Sequence, residues 1–90
     1  MTKIKFTQAL NRFFPDLKDL DVEAKQLSDV IVEINQHFPG LSNYILEENG
    51  SLREHLNIYL DGEVIMDRFG LSDNIDKKRE IVIFQAISGG

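Results

Sequence analysis

The residues best suited to chemistry lie in the stretch Ile81-Val82-Ile83-Phe84-Gln85-Ala86-Ile87-Ser88-Gly89-Gly90. A run of β-branched and aromatic residues passes into small residues and then into two glycines, the pattern of a strand feeding a bare tail. The candidate reactive group is the Gly90 carboxylate. Paired glycines remove both nearby Cβ atoms, so such a tail can thread a narrow channel in backbone conformations closed to other residues. From Ile87 to Gly90, at roughly 3.3 to 3.6 Å per extended residue, the carboxylate can reach about 14 Å beyond a fold and enter a partner's active site. The same ending also fits a frayed terminus.

The other polar groups offer less. His37 and His55 fall on different predicted elements, and no third ligand is spaced to complete a metal site with either. His37 reads as a favourable charge for the last turn of a helix. Ser88 has no base within sequence reach and reads as a small spacer. Glu47-Glu48 and the pair Asp73 and Asp76 read as solvated loop carboxylates. With no cysteine in the chain, disulfides, thiolate metal sites and a cysteine nucleophile are excluded, and any sulfur handled must be carried on another group. There is no P-loop and no GxGxxG run, so phosphate-binding groups would have to come from elsewhere.

Ninety residues, of which 42% are hydrophobic and eight are aromatic, suffice for one small domain with a single core. A formal net charge of −5 argues against general nucleic-acid binding and fits docking on a more basic partner surface. The N-terminal residues Met1 to Phe6 lack the apolar core of a secretory signal, and no apolar run reaches the length of a membrane span. A cytoplasmic protein that uses no membrane is therefore expected.

The elements that must position the tail can be read from periodicity. Lys3 to Thr7 alternates, with Ile4 and Phe6 on one face, as a half-buried first strand. A connection from Gln8 to Pro15 follows, with Phe13 and Phe14 expected at the core or its edge. Leu20 and Val22 alternate with acidic residues as a second strand. Leu27, Val30, Ile31, Ile34 and Phe38 recur every three or four residues, which predicts a helix from 27 to 38, stopped by Pro39-Gly40 and capped at its start by Gln26 or, chemically better, Ser28. Leu41 to Asn49 should contain a short helical turn, and Leu56, Ile58 and Leu60 mark a third strand ending at the Asp61-Gly62 hairpin signal. Glu63 to Met66 is its short return. A loop from Asp67 to Lys78, anchored by Leu71 and Ile75, leads to the last strand at about 80–86. The expected core joins Ile4, Phe6, Val30, Ile31, Ile34, Ile58, Leu60, Ile81 and Ile83, which turns Val82 and Phe84 outward as a candidate partner-binding pair.

This order predicts an α+β domain of the β-grasp, or ubiquitin-like, type: a mixed sheet of about five strands with one main helix across it, the first and last strands side by side and parallel at its centre. The expected division is a β-grasp domain over 1–86 and a flexible tail over 87–90.

Nearly the whole chain resembles the ThiS/MoaD family of β-grasp sulfur carriers. The resemblance rests on Phe38-Pro39-Gly40-Leu41, Leu52-Arg53, Leu56-Asn57-Ile58-Tyr59-Leu60 before Asp61-Gly62, Gly70-Leu71, and Ile81 to Gly90. Its length and the Asn57-Ile58-Tyr59 strand resemble the MoaD-like and cysteine-forming carriers more than the shorter thiamin carriers. The resemblance implies a protein that is not itself an enzyme and binds no cofactor. An E1-like adenylating enzyme would use ATP and Mg²⁺ to adenylate Gly90, a sulfur donor would displace AMP to leave a thiocarboxylate, and an acceptor synthase would take the sulfur into molybdopterin, cysteine, thiamin or a similar product. It also implies that Phe84 contacts partners. Three positions depart from the family pattern. Gln85 stands where proline is frequent just after the last strand, Lys77-Lys78-Arg79 replaces a Gly-Asp turn, and Asp61 replaces a common asparagine. Two other functions fit the same residues: a ubiquitin-like modifier conjugated through Gly90, and an interaction module whose tail is idle.

Overall fold

The computed structural model describes residues 1–85, and Ala86 to Gly90 lie outside the described residues. Five strands and three helices follow one another as β1 (Thr2–Phe6), α1 (Gln8–Asn11), β2 (Leu20–Val22), α2 (Leu27–His37), α3 (Leu41–Ile45), β3 (Leu56–Leu60), β4 (Glu63–Val64) and β5 (Glu80–Gln85). The strands form one sheet in the order β2-β1-β5-β3-β4. β1 and β5 are parallel neighbours, with Ile4 beside Ile81 and Phe6 beside Ile83, while every other pairing is antiparallel. The architecture is the α+β β-grasp that the element order predicts.

Alternation decides which side of the sheet is covered. Ile4 in β1, Val22 in β2, Leu56, Ile58 and Leu60 in β3, and Ile81 and Ile83 in β5 all point to the same side and are buried. The α2 stripe of Leu27, Val30, Ile31, Ile34 and Phe38 closes over them. Phe6 departs from the expected core. It is only half-buried, because it lies at the rim of the sheet, where it packs edge-on against Phe38 with ring centroids 6.0 Å apart.

Pro39-Gly40 ends α2 as expected, Gly40 taking φ of 95°. The Asn35 side chain then accepts the N–H groups of Gly40 and Ser42, each at 3.1 Å, and so starts α3. At its other end, of the two cap residues expected, Gln26 and not Ser28 precedes the first turn of α2. Gln26 occupies the cap position without a side-chain hydrogen bond. The carbonyls of Asp73 and Leu71 instead accept the N–H groups of Leu27 (3.0 Å) and Ser28 (2.9 Å), so a distant loop supplies the acceptors that a cap residue would have provided.

That loop is built on carboxylates. Asp67 accepts hydrogen bonds from the N–H groups of Phe69, Gly70 and Ser72 and from the Ser72 hydroxyl, the last at 2.6 Å. Asp73 is not the solvated carboxylate expected: its two oxygens accept the N–H groups of Met66 (2.9 Å) and Asp67 (2.8 Å). β4 spans only Glu63–Val64, shorter than the expected return to Met66, whose N–H is taken by Asp73. Leu71 is buried at a φ of 52°, an uncommon conformation for leucine that its burial and hydrogen bonds hold in place. Leu71 and Ile75 anchor the loop in the core as predicted.

Asp61 and Gly62 turn the hairpin with φ of 49° and 88°, the positive pair that a tight two-residue turn needs. The Asp61 carboxylate also accepts the N–H groups of Arg79 (3.1 Å) and Glu80 (2.9 Å), which ties the basic 77–79 turn to the hairpin and fixes where β5 begins.

Candidate functional site

β5 sits between β1 and β3 and carries the chain toward its C-terminal diglycine. Its last described residues have two different environments. On the uncovered side of the sheet, Phe84 is 38% exposed and Val82 is half-buried. Phe84 lies diagonal to Tyr59, whose ring meets it edge-on at 6.2 Å. Val64 pairs with Tyr59 in the next strand and is exposed, so Val64, Tyr59, Val82 and Phe84 make an apolar band across three strands. Beside the band, Lys5 Nζ meets Glu80 Oε2 at 3.0 Å. The hydrogen bond and charge of Glu80 raise the Lys5 pKa, but the pair is too exposed to hold the fold together.

The band ends on a polar staple. Arg68 donates to the Asn57 side chain (2.7 Å) and to the carbonyls of Arg53 (2.7 Å) and Leu56 (2.9 Å). It therefore fixes the start of β3 opposite Gln85. No periodic pattern singles out Arg68 in the sequence. A buried apolar neighbour would have been visible, whereas an arginine that bonds to backbone carbonyls is not.

On the helix side, Gln85 is held twice. Its N–H donates to Thr7 Oγ1 at 3.2 Å, and its side-chain oxygen accepts the Tyr44 hydroxyl at 3.1 Å. The Tyr44 ring is packed against Phe13 (5.1 Å) and Phe14 (5.6 Å). Phe14 is half-buried at the core edge as expected, but Phe13 is 60% exposed. The reason is α1, a helical turn where an irregular connection was expected. It buries Leu10 and leaves Phe13 to lie over Tyr44 instead of entering the core.

Among the other candidates, Gly90, Gly89, Ser88 and Ile87 fall outside the described residues. His37 and His55 are exposed and far apart in the fold order, and among the described residues no group of three histidine, aspartate or glutamate side chains is arranged to hold a metal ion. Glu47 makes an exposed ion pair with Arg53 at 3.3 Å, and no chemistry attaches to it. The most perturbed carboxylate is Asp67, held at a pKa of about 2, first by the Gly70 N–H and then by the Ser72 hydroxyl. Its bonds are all to its own loop, so it is structural.

A five-stranded mixed sheet with β5 at its centre between β1 and β3, and one main helix across it, defines the ubiquitin-like, β-grasp class. The sequence matches the ThiS family over residues 4–90, and the chain belongs to that family. Its fold is similar to a chain of the Amycolatopsis orientalis BexX/CysO complex, with 19% identity, a TM-score of 0.81 and full coverage of both chains (100% each). It is also similar to Mycobacterium tuberculosis CysO, with 20% identity and a TM-score of 0.80 over 97% of this chain and 100% of that one. The small archaeal modifier protein 1 of Methanosarcina acetivorans shares 25% identity and a TM-score of 0.75 over 99% and 95% of the two chains. No curated protein sequence matches the chain significantly.

Proposed function

We propose that this protein is a sulfur carrier whose Gly90 carboxylate is activated by a partner and converted to a thiocarboxylate. The observation that carries the reading is the span of the family match, which runs through the last strand and includes the terminal diglycine. A carboxylate is a poor electrophile. An E1-like enzyme overcomes this by attacking the ATP α-phosphate with the Gly90 carboxylate, Mg²⁺ assisting, to form an acyl adenylate and release pyrophosphate. A hydrosulfide-level sulfur donor then attacks the acyl carbon and expels AMP. The product sulfur is nucleophilic without any cysteine in this chain, and an acceptor synthase consumes it in making a sulfur-containing product of the molybdopterin, cysteine or thiamin type.

In this scheme residues 1–86 form the docking body, residues 87–90 form the handle, and the chain is not itself an enzyme. Phe84 and Val82 anchor the activating enzyme, since an exposed aromatic with an apolar neighbour is the usual composition of an interface centre. ATP-dependent activation accords with the cytoplasmic compartment expected from the sequence.

The test incubates the protein with its cognate activating enzyme, ATP, Mg²⁺ and hydrosulfide. A product heavier by the exchange of one oxygen for sulfur, mapped to Gly90 by fragmentation, is expected. An unmodified chain would overturn the reading. A second reading, conjugation of Gly90 to a lysine, draws support from the likeness to an archaeal protein named a modifier. It requires the same adenylate, and a lysine conjugate as the sole product would select it.

A further inference from the structure

Lys5 and Arg68 both bring a cation to the open face of the sheet, and the two charges are handled differently. Lys5, the cross-strand neighbour of Val82, is compensated by Glu80 at 3.0 Å. Arg68 donates to the Asn57 side chain and to the carbonyls of Arg53 and Leu56, all of them neutral. Among the described residues the ion pairs are Lys5–Glu80 and Arg53–Glu47, and neither involves Arg68. We propose that this uncompensated guanidinium receives a carboxylate of the activating enzyme, an aspartate or glutamate set among apolar side chains. The proposal rests on the carrier reading above. It makes Arg68 a specificity residue of the docking surface as well as a brace for β3.

Placement is the first support. Asn57 lies directly opposite Phe84 in the β3–β5 pairing, so the side chain that Arg68 grips at 2.7 Å belongs to the same face as the apolar band. Arginine only donates hydrogen bonds, and the three it makes here leave N–H groups for a further acceptor. Rigidity is the second. A surface arginine gives up its rotamer freedom when it docks, whereas Arg68, half-buried and held by those bonds, has given it up already in the free chain. Charge is the third. Neutral acceptors offset the desolvation of a guanidinium without cancelling its charge, so a positive group is left at the edge of the band in a chain whose net charge is −5. Net charge alone would select a basic partner surface; Arg68 requires a carboxylate at one point within it. Apolar surroundings strengthen such a pair by excluding water.

The experiment measures binding of the full chain to its cognate activating enzyme by calorimetry, comparing wild type, Asn57→Asp, Arg68→Gln and Lys18→Gln. Asn57→Asp is decisive, because it leaves the guanidinium pinned and supplies a counter-charge from within the chain. It should keep or raise the thermal midpoint and weaken binding about 10- to 100-fold, the range of a desolvated interfacial charge pair. Arg68→Gln should weaken binding by a similar factor; it also cuts bonds at the start of β3, and where circular dichroism shows it unfolded, Asn57→Asp decides alone. Lys18 is an exposed cation on the helix side, beside Phe38 and Pro39, and its removal should leave binding unchanged or slightly tighter. Wild-type affinity in Asn57→Asp would overturn the proposal, and so would a loss in Lys18→Gln equal to that in Arg68→Gln. Adenylation assayed in parallel separates the two readings. An enzyme that binds the wild-type chain, releases Asn57→Asp and yet never adenylates Gly90 would remove the carrier reading and keep the cation site. A wild-type chain that no activating enzyme binds would remove both.

Discussion

The loop from Asp67 to Arg79 and the last described residues of β5 are held in opposite ways. The loop has no helix or strand of its own, but Asp67, Asp73 and the incoming Asp61 carboxylate bind its backbone N–H groups, and Leu71 and Ile75 sink into the core. Its carbonyls in turn cap α2. At Gln85, the last described residue of β5, two hydrogen bonds suffice, one to Thr7 and one from Tyr44, and the exposed aromatics Phe84 and Phe13 lie on the two faces of the sheet beside it. The difference separates two jobs. Many bonds are found where the main helix must be placed, and few at the end of the described strand, where the proposed function puts the partner.

Damage to the two regions should therefore separate stability from function. The largest effect is expected from deleting Gly90: mass spectrometry should show no adenylate and no thiocarboxylate, while the thermal midpoint stays where it was. Thiocarboxylation of the deletion variant would erase the distinction. Ile34→Ala, in the core that the loop helps to position, should destabilise by about 2 to 5 kcal/mol in denaturant titration. A loss under about half a kcal/mol would mean that the α2 face does not carry the fold.

Phe84→Ala tests the other side of the comparison. It should weaken binding to the activating enzyme by about 10- to 30-fold, corresponding to a moderate interface hot spot, with circular dichroism unchanged. Equal affinity would show that the apolar band is not the docking surface.

The smallest effect is a pH dependence confined to the loop. Asp67 has a folded pKa of about 2, whereas an unfolded aspartate titrates near about 3.9. A depressed pKa stabilises the fold above the unfolded value, and that contribution is lost as pH falls through about 4 toward about 2. Asp67→Asn should flatten this part of the acid unfolding curve. A curve identical to wild type would mean that the loop carboxylate is not what acid attacks first.

The sequence by itself determined the elements whose signal is local and repeated. The α2 stripe, the alternation of β3 and β5, and the Asp61-Gly62 turn follow from side-chain period and backbone sterics, and they were enough to specify the β-grasp order and which face of β5 points out. Tertiary structure alone decided the rest. The Arg68 staple, the loop carbonyls that meet the start of α2, the exposure of Phe13 and the Tyr44–Gln85 bond are hydrogen bonds or packings between separate segments, and the Asp67 and Asp73 bonds are single meetings inside one irregular loop. Such contacts leave no period in the sequence, because a donor and its acceptor need only meet once, and where they meet is set by the path of the folded backbone between them.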